Sequence, residues 1–149
     1  MKKVISLTLA LLMLLSLTVL VSCGETEDTD NTEAPEGTSP WDSALYKENA
    51  TLGTGSKTFT LEVCAYDKSI TLTISSSAET LGEALLALNL LEGEDSTYGL
   101  YVKKVNGILA DHDTDQTYWA LYIDNEYAMT GVDSTPLKNG QAYKLSREK

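Results

Sequence analysis

The stretch SITLTISSSAETLGEALLAL, Ser69 to Leu88, changes its period halfway along. In the first half Ile70, Leu72 and Ile74 alternate with polar residues, the two-residue repeat of a strand with one buried face. In the second half Leu81, Leu85 and Leu88 recur at helical spacing, with Ala84 and Leu91 widening the stripe. That spacing predicts a helix of about three turns lying on a core. The switch falls at Thr80-Leu81-Gly82-Glu83, which reads as a capping box. The threonine hydroxyl accepts from the backbone N–H of Glu83, and the Glu83 carboxylate accepts from that of Thr80. Gly82 costs such a helix about 1 kcal/mol relative to alanine.

Working outward, Thr58 to Val63 also alternates polar and apolar residues. Only Ala65-Tyr66-Asp67-Lys68 separates it from the strand above, so the two form a hairpin. Downstream, an acid-rich loop follows Gly93, and GLYVKKVNG is a strand ended by Asn106-Gly107. That dipeptide favours the positive φ angles of tight turns. Tyr118 to Asp124 is another strand, Lys138-Asn139-Gly140 a turn, and QAYKLS the last strand, with Tyr143 and Leu145 on one side. The order β-β-α-β-β-β implies an α+β fold, with one helix packed over one mixed sheet. The folded domain is expected over residues 56–149. Trp41 to Gly55 reads either as further linker or as a short lead-in.

The other end of the 149-residue chain has a different character. Lys2 and Lys3 precede an apolar run from Val4 to Val21, the pattern of a secretory signal. The run is also nearly long enough to span a bilayer, which takes about 20 residues. Its end decides between the two, because Leu20-Val21-Ser22-Cys23 resembles the bacterial lipobox. Residues 1–22 are therefore expected to be a signal peptide and Cys23 the lipidated residue. The protein would be exported and held by lipid at the outer face of the bacterial cell membrane. Gly24 to Pro40 has six acids, no bases and no bulky apolar residue. Such a stretch buries too little surface to offset its ordering entropy, so residues 23–55 are expected to tether the domain.

The whole chain carries a net charge of −11. Without residues 1–22, nine basic side chains face 22 acidic ones, a net −13. Nucleic acid is thereby excluded as a partner. Cys64 is a lone thiol once Cys23 is acylated, and the only histidine, His112, lies far along in a polar loop. No nucleophile–base motif and no phosphate-binding glycine loop is present, so no catalytic residue is assigned. Asp111-His112-Asp113-Thr114-Asp115 begins like a calcium loop. It then fails, with Gln116 where glycine is needed and Tyr122 where glutamate is needed. No metal ligand is assigned.

Gln116 to Asp133 is the aromatic segment. Parity sends Thr117, Trp119, Leu121 and Ile123 to the core. It sends Tyr118, Ala120, Tyr122 and Asp124 to the other, more exposed face. The tyrosines, joined by Tyr101 from a neighbouring strand, suit either cross-strand pairing or stacking on a flat ligand. Gly131, after Met129-Thr130, suits either a β-bulge or a close approach of backbone to ligand.

Taken in order, Thr80–Leu88, Tyr98–Gly107, Tyr118-Trp119-x-Leu121, Gly131-Val132-Asp133 and Asn139-Gly140 through Leu145 resemble the transcobalamin-like C-terminal domain. That domain is also called domain of unknown function 4430, and the resemblance spans roughly Lys57 to Leu145. It implies a β-grasp-like α+β fold. In vertebrate cobalamin carriers such a domain caps one face of cobalamin, and the segments matching Tyr118–Leu121 and Met129–Asp133 lie in or near the cap. Similar bacterial domains occur on lipoproteins. The carriers' helical-barrel domain, which supplies the other half of their site, has no counterpart in this sequence.

The functional expectation is a surface-anchored, non-catalytic lipoprotein that binds a small ligand. Cobalamin or a related corrinoid is the best-specified ligand. Tyr118, Tyr122, Met129, Thr130, Gly131, Val132 and Asp133 are the candidate contacts, and a transporter or another surface protein a candidate partner. The alternative is a protein- or glycan-binding adhesion module; an enzyme is the third and least supported class.

Overall fold

The computed structural model describes residues 39–149. The predicted signal peptide, Cys23 and the acidic stretch as far as Thr38 lie outside the described residues. The described residues form one compact unit.

A 3-10 turn, Pro40–Ser43, leads to β1 (Ala50–Gly53), β2 (Lys57–Ala65), β3 (Lys68–Ser76) and helix α1 (Leu81–Ala87). Then come β4 (Leu91–Ser96), β5 (Gly99–Val105), β6 (Ile108–Leu109), the single-turn α2 (His112–Asp115), β7 (Tyr118–Ile123) and β8 (Glu126–Tyr127). A second 3-10 turn, Val132–Ser134, precedes β9 (Ala142–Glu148). The main sheet has the order β1-β3-β2-β9-β7-β8. Its β2–β3 hairpin is antiparallel, and β9 inserts parallel to β2. A hairpin, a helix and a last strand returning beside the first make this a β-grasp arrangement. Among the described residues no helix is long and apolar enough to cross a membrane.

Register puts the alternating apolar residues on one face. Leu61 sits opposite Leu72 and Tyr143, and Leu121 opposite Leu145. Phe59 meets the Tyr143 ring edge-on at 5.6 Å. Leu81, Ala84 and Leu85 of α1 are buried in the same core. Each fully buried leucine contributes roughly 1.5–3 kcal/mol. The capping box is present, with Glu83 N donating to Thr80 Oγ1 and Thr80 N to Glu83 Oε2, both at 3.2 Å.

Three expectations are corrected. The helix has two turns, because Asn89 adopts φ 55° and turns the chain away; Leu91 starts β4 and belongs to no helical stripe. There are two sheets, since β4, β5 and β6 form a second, antiparallel one. Glu92 to Ser96 pairs with β5 through its backbone while its side chains stay exposed, so no alternation marked it as a strand.

The third correction concerns where folding begins. Trp41 is 5% exposed and packs in the core, and its Nε1 donates to the Ala65 carbonyl at 3.1 Å. β1 then extends the sheet in parallel with β3. Trp41 to Gly53 is thus part of the domain, and a tether reaching residue 55 is too long. The fold therefore buries two tryptophans, Trp41 and Trp119.

Candidate functional site

β7 lies near one edge of the main sheet. Asp124 and Asn125, with φ of 51° and 69°, form a two-residue turn into the short β8. Ala128 N still donates to Leu121 O at 2.9 Å, and then the chain leaves the sheet. It comes to rest in the Val132–Ser134 turn. Thr135 fixes that turn, its Oγ1 donating to Gly131 O at 2.8 Å while its carbonyl accepts from Leu81 N at 2.9 Å. A Cβ on Gly82 would come 3.1 Å from the Asp133 backbone, so the glycine in α1 permits the helix to seat against the turn. The helix propensity given up at Gly82 has this packing reason.

From the second sheet, the β4–β5 hairpin reaches the same turn, Leu100 N donating to Asp133 Oδ2 at 3.3 Å. Between β5, β7 and residues 127–132 a crevice of about 160 Å³ opens. Leu100, Val102, Tyr118, Trp119, Tyr127 and Val132 are among the residues that line it. Two buried polar atoms in this region have no hydrogen-bond partner within the protein: Nε1 of Trp119, a residue that lines the crevice, and Oδ1 of Asp133, which does not line it. Met129, 92% exposed, lies on the segment bordering the crevice, and Tyr98, 98% exposed, at the tip of the β4–β5 hairpin.

Of the candidate contacts, Tyr118, Thr130, Gly131 and Val132 line the crevice. Met129 lies beside it in solvent, and Asp133 stands behind Gly131. Gly131 has φ −72° and starts the 3-10 turn, so it is no β-bulge. Its hydrogen makes room for Asp133, whose Oδ1 would lie 2.6 Å from a Cβ.

Tyr122 is not brought to the crevice. Its hydroxyl donates to Glu148 Oε1 at 2.8 Å, its ring meets Tyr127 edge-on, and Lys144 Nζ lies 4.3 Å from its centroid. The bond to Glu148 raises its hydroxyl pKa. Pairing within the sheet has taken the ring a flat ligand would need. Tyr101 reaches the site from the opposite wall, since β5 belongs to the other sheet.

The parity of β7 holds for Thr117, Trp119 and Leu121, all buried. Ala120 is buried too, although it shares a face with the half-buried Tyr118 and Tyr122. Trp119 is both core residue and crevice wall, a dual role that parity alone does not reveal. Leu100 and Val102 were not anticipated, because no local pattern encodes which strand of a second sheet lies across from β7; Tyr127, on β8 beside β7 in the main sheet, was not singled out either.

The Asp111–Asp115 carboxylates are engaged internally. Asp111 accepts from Thr114 Oγ1 at 2.9 Å and from Asp113 N at 3.0 Å. Asp115 accepts from Thr117 and pairs with Arg147. Both carboxyls are held below the ordinary range, Asp111 chiefly by Thr114 and Asp115 chiefly by Thr117. Among the described residues no group of three or more His, Cys, Asp or Glu side chains is placed to hold a metal ion.

Cys64 lies on the outer sheet face, half-buried, and burial together with Glu62 pushes its thiol up to about 11. The thiolate is the reactive form. Iodoacetamide at pH 8 is therefore expected to alkylate Cys64 at least tenfold more slowly than a free peptide thiol. An equal rate, followed by mass spectrometry, would show the burial to be transient.

Residues 78–142 match the family profile of a domain of unknown function, DUF4430. Among solved structures, the chain is similar to a Ruminococcus gnavus ATCC 29149 protein provisionally described as metal-binding. The identity is 32% and the TM-score 0.60, over 63% of this chain and 98% of that one. Haptocorrin in complex with Cbi matches at 19% identity and a TM-score of 0.48, over 66% of this chain. The match spans about a quarter of haptocorrin's length, 26%. No curated protein matches the sequence.

Proposed function

Because the chain belongs to the DUF4430 family, we propose that its folded part is a non-catalytic ligand-binding domain. The observation that carries this reading is the crevice between the two sheets, one of whose lining residues, Trp119, has a buried indole N–H with no partner within the protein. Native structures rarely leave such groups unpaired, and a ligand is one way to satisfy them. Exposed Met129, between lining residues Ala128 and Thr130, offers apolar surface at its border.

The proposed setting is the outer face of a bacterial membrane. It rests on the Leu20-Val21-Ser22-Cys23 sequence, with Cys23 carrying the lipid and a transporter or other surface protein as partner. For the ligand itself, a corrinoid is supported by the resemblance of the ordered segments to the capping domain of cobalamin carriers. The crevice bounds how such a ligand would sit. At about 160 Å³ it is smaller than the roughly 300–1,000 Å³ of most small-molecule pockets. A macrocycle would lie across the mouth, with at most one peripheral group inside. Metal binding, suggested by the description of the R. gnavus relative, has no donor cluster to support it among the described residues.

The test is cobinamide added to residues 37–149, with thermal unfolding and titration calorimetry as readouts. A ligand of the native state raises the melting temperature by mass action. Met129→Ala and Tyr118→Ala are each expected to weaken binding about tenfold, or about 1.4 kcal/mol, while leaving the fold intact. An unchanged melting temperature at high micromolar cobinamide would remove the corrinoid. The exposed Tyr98 and Met129 would then favour the second reading, a protein- or glycan-binding surface.

A further inference from the structure

The main chain of β7 alternates between its two neighbours. On the β9 side Asp124 N donates to Ala142 O at 2.8 Å, and on the other side Leu121 O accepts from Ala128 N at 2.9 Å. Main-chain groups point to opposite sides at successive residues of an antiparallel strand, so the N–H and C=O of Trp119, like those of Leu121, turn away from β9. β8 pairs with Tyr122 and Ile123, and continued in the same register it would bring Thr130 opposite Trp119. The chain departs after Ala128 instead, and Thr130 Oγ1 meets Thr135 Oγ1 at 3.0 Å. The ladder stops one pair short of Trp119, and among the described residues no other strand takes it up.

β5 ends its pairing in a similar way. β4 flanks it along its length, but β6 reaches only Lys104 and Val105, and Leu100 N turns to Asp133 Oδ2. Two strand segments that line the crevice, Leu100–Val102 and Tyr118–Ala120, therefore each have a strand on one side only. A free edge is a template for another extended chain, and proteins usually blunt it with charge or proline. The outer strand of the second sheet, β4, is blunted by Glu92, Glu94 and Asp95. Tyr118-Trp119-Ala120 carries neither device.

The side chain of a residue paired with Trp119 would lie on the indole's face of the sheet. That is the face where Leu100, Val102 and Val132 meet the core. A volume of about 160 Å³ admits one small aliphatic side chain, being comparable to a cavity that holds benzene. Water alone would meet the Trp119 N–H and C=O but leave these apolar walls uncovered. The net charge of −11 favours a cationic partner. Resting on the reading of this crevice as the ligand site, we infer that it takes an extended segment of a basic partner protein, added antiparallel to β7 where β8 departs. One residue of that segment exchanges both main-chain hydrogen bonds with Trp119, and its small aliphatic side chain fills the crevice. Main-chain pairing supplies the affinity and the crevice the side-chain selectivity.

The probe is the peptide acetyl-Lys-Thr-Val-Thr-Lys-amide, titrated into ¹⁵N-labelled residues 37–149 and followed in proton–nitrogen correlation spectra. Ordering so short a peptide limits it to roughly millimolar affinity, so the titration runs to about 10 mM. The backbone amides of Trp119, Leu121 and Val102 are expected to shift and saturate, while that of Trp41 stays in place. The Trp119 amide should also exchange with solvent at least tenfold more slowly. N-methylation of the valine deletes the N–H that meets Trp119 O and should weaken binding at least tenfold. Glycine in place of the valine should do the same, since it leaves the crevice unfilled. Equal binding of the N-methylated peptide, shifts confined to Glu92–Asp95, or no shift at all would each overturn the inference. If cobinamide raises the melting temperature but the peptide leaves Trp119 unmoved, the strand pairing fails and the ligand-binding function stands. Peptide binding without a response to cobinamide removes the corrinoid and supports the strand pairing. Silence from both ligands removes both.

Discussion

Asn106→Ala is expected to destabilise the domain by about 3–4 kcal/mol, measured by urea unfolding of residues 37–149. Asn106 is fully buried in the β5–β6 turn, and its amide grips the lead-in segment from both sides. Oδ1 accepts from Tyr46 N at 2.9 Å, and Nδ2 donates to Tyr46 O at 2.7 Å. Alanine would leave both Tyr46 groups without their partner, at roughly 1–3 kcal/mol each. It would also have to adopt φ 53°, where a non-glycine residue pays about 1 kcal/mol. Asn106→Gly separates the two contributions, since it relieves the backbone and still loses both bonds. A loss below about 1 kcal/mol for alanine would mean that water replaces the asparagine and that the grip contributes little.

The second large effect concerns Trp41. Trp41→Ala is expected to cost about 3–5 kcal/mol, in the range of buried aromatic truncations. It removes a packed indole, its bond to Ala65 O, and the ring that Lys68 Nζ approaches at 4.8 Å. A chain starting at Lys57 should suffer more, because it loses β1 as well and exposes the edge of β3. Its unfolding transition is expected at lower urea with a smaller slope, since less surface is buried. Coincident transitions for chains starting at Gly37 and Lys57 would show that the lead-in merely rests on the domain.

These two residues mark where the sequence was and was not legible. Asn106-Gly107 was readable as a turn, because φ preference is local. The clasp on Tyr46 was not, since it joins segments remote in sequence. The period change at Thr80 and the alternation in β2, β3 and β9 revealed the β-grasp core, each pattern being the imprint of one buried face. Trp41 stood alone in a polar context, with no periodicity to betray its burial. The same limit applies to the crevice. Tyr118 and Gly131-Val132 were found through resemblance, whereas parity sent Trp119 to the core and did not reveal that it also lines the crevice. Leu100 and Val102 come from a sheet whose partner strand, β4, is acidic and exposed. The glycines at 82 and 131 looked like conformational concessions. They are clearances for Asp133, visible only once the turn is in place.

The parallel pairing of β2 with β9 has a consequence in time. Leu61 and Val63 gain their neighbours Tyr143 and Leu145 only from the final strand of the domain. A ribosome delivers the β2–β3 hairpin and α1 long before β9. Until then the emerging chain holds an unfinished sheet with an apolar flank open to whatever is nearby. Long-range closure of this kind slows folding and prolongs exposure to chaperones and to misassembly. Synthesis would thus yield a domain whose sheet stays open until β9 has emerged beside β2.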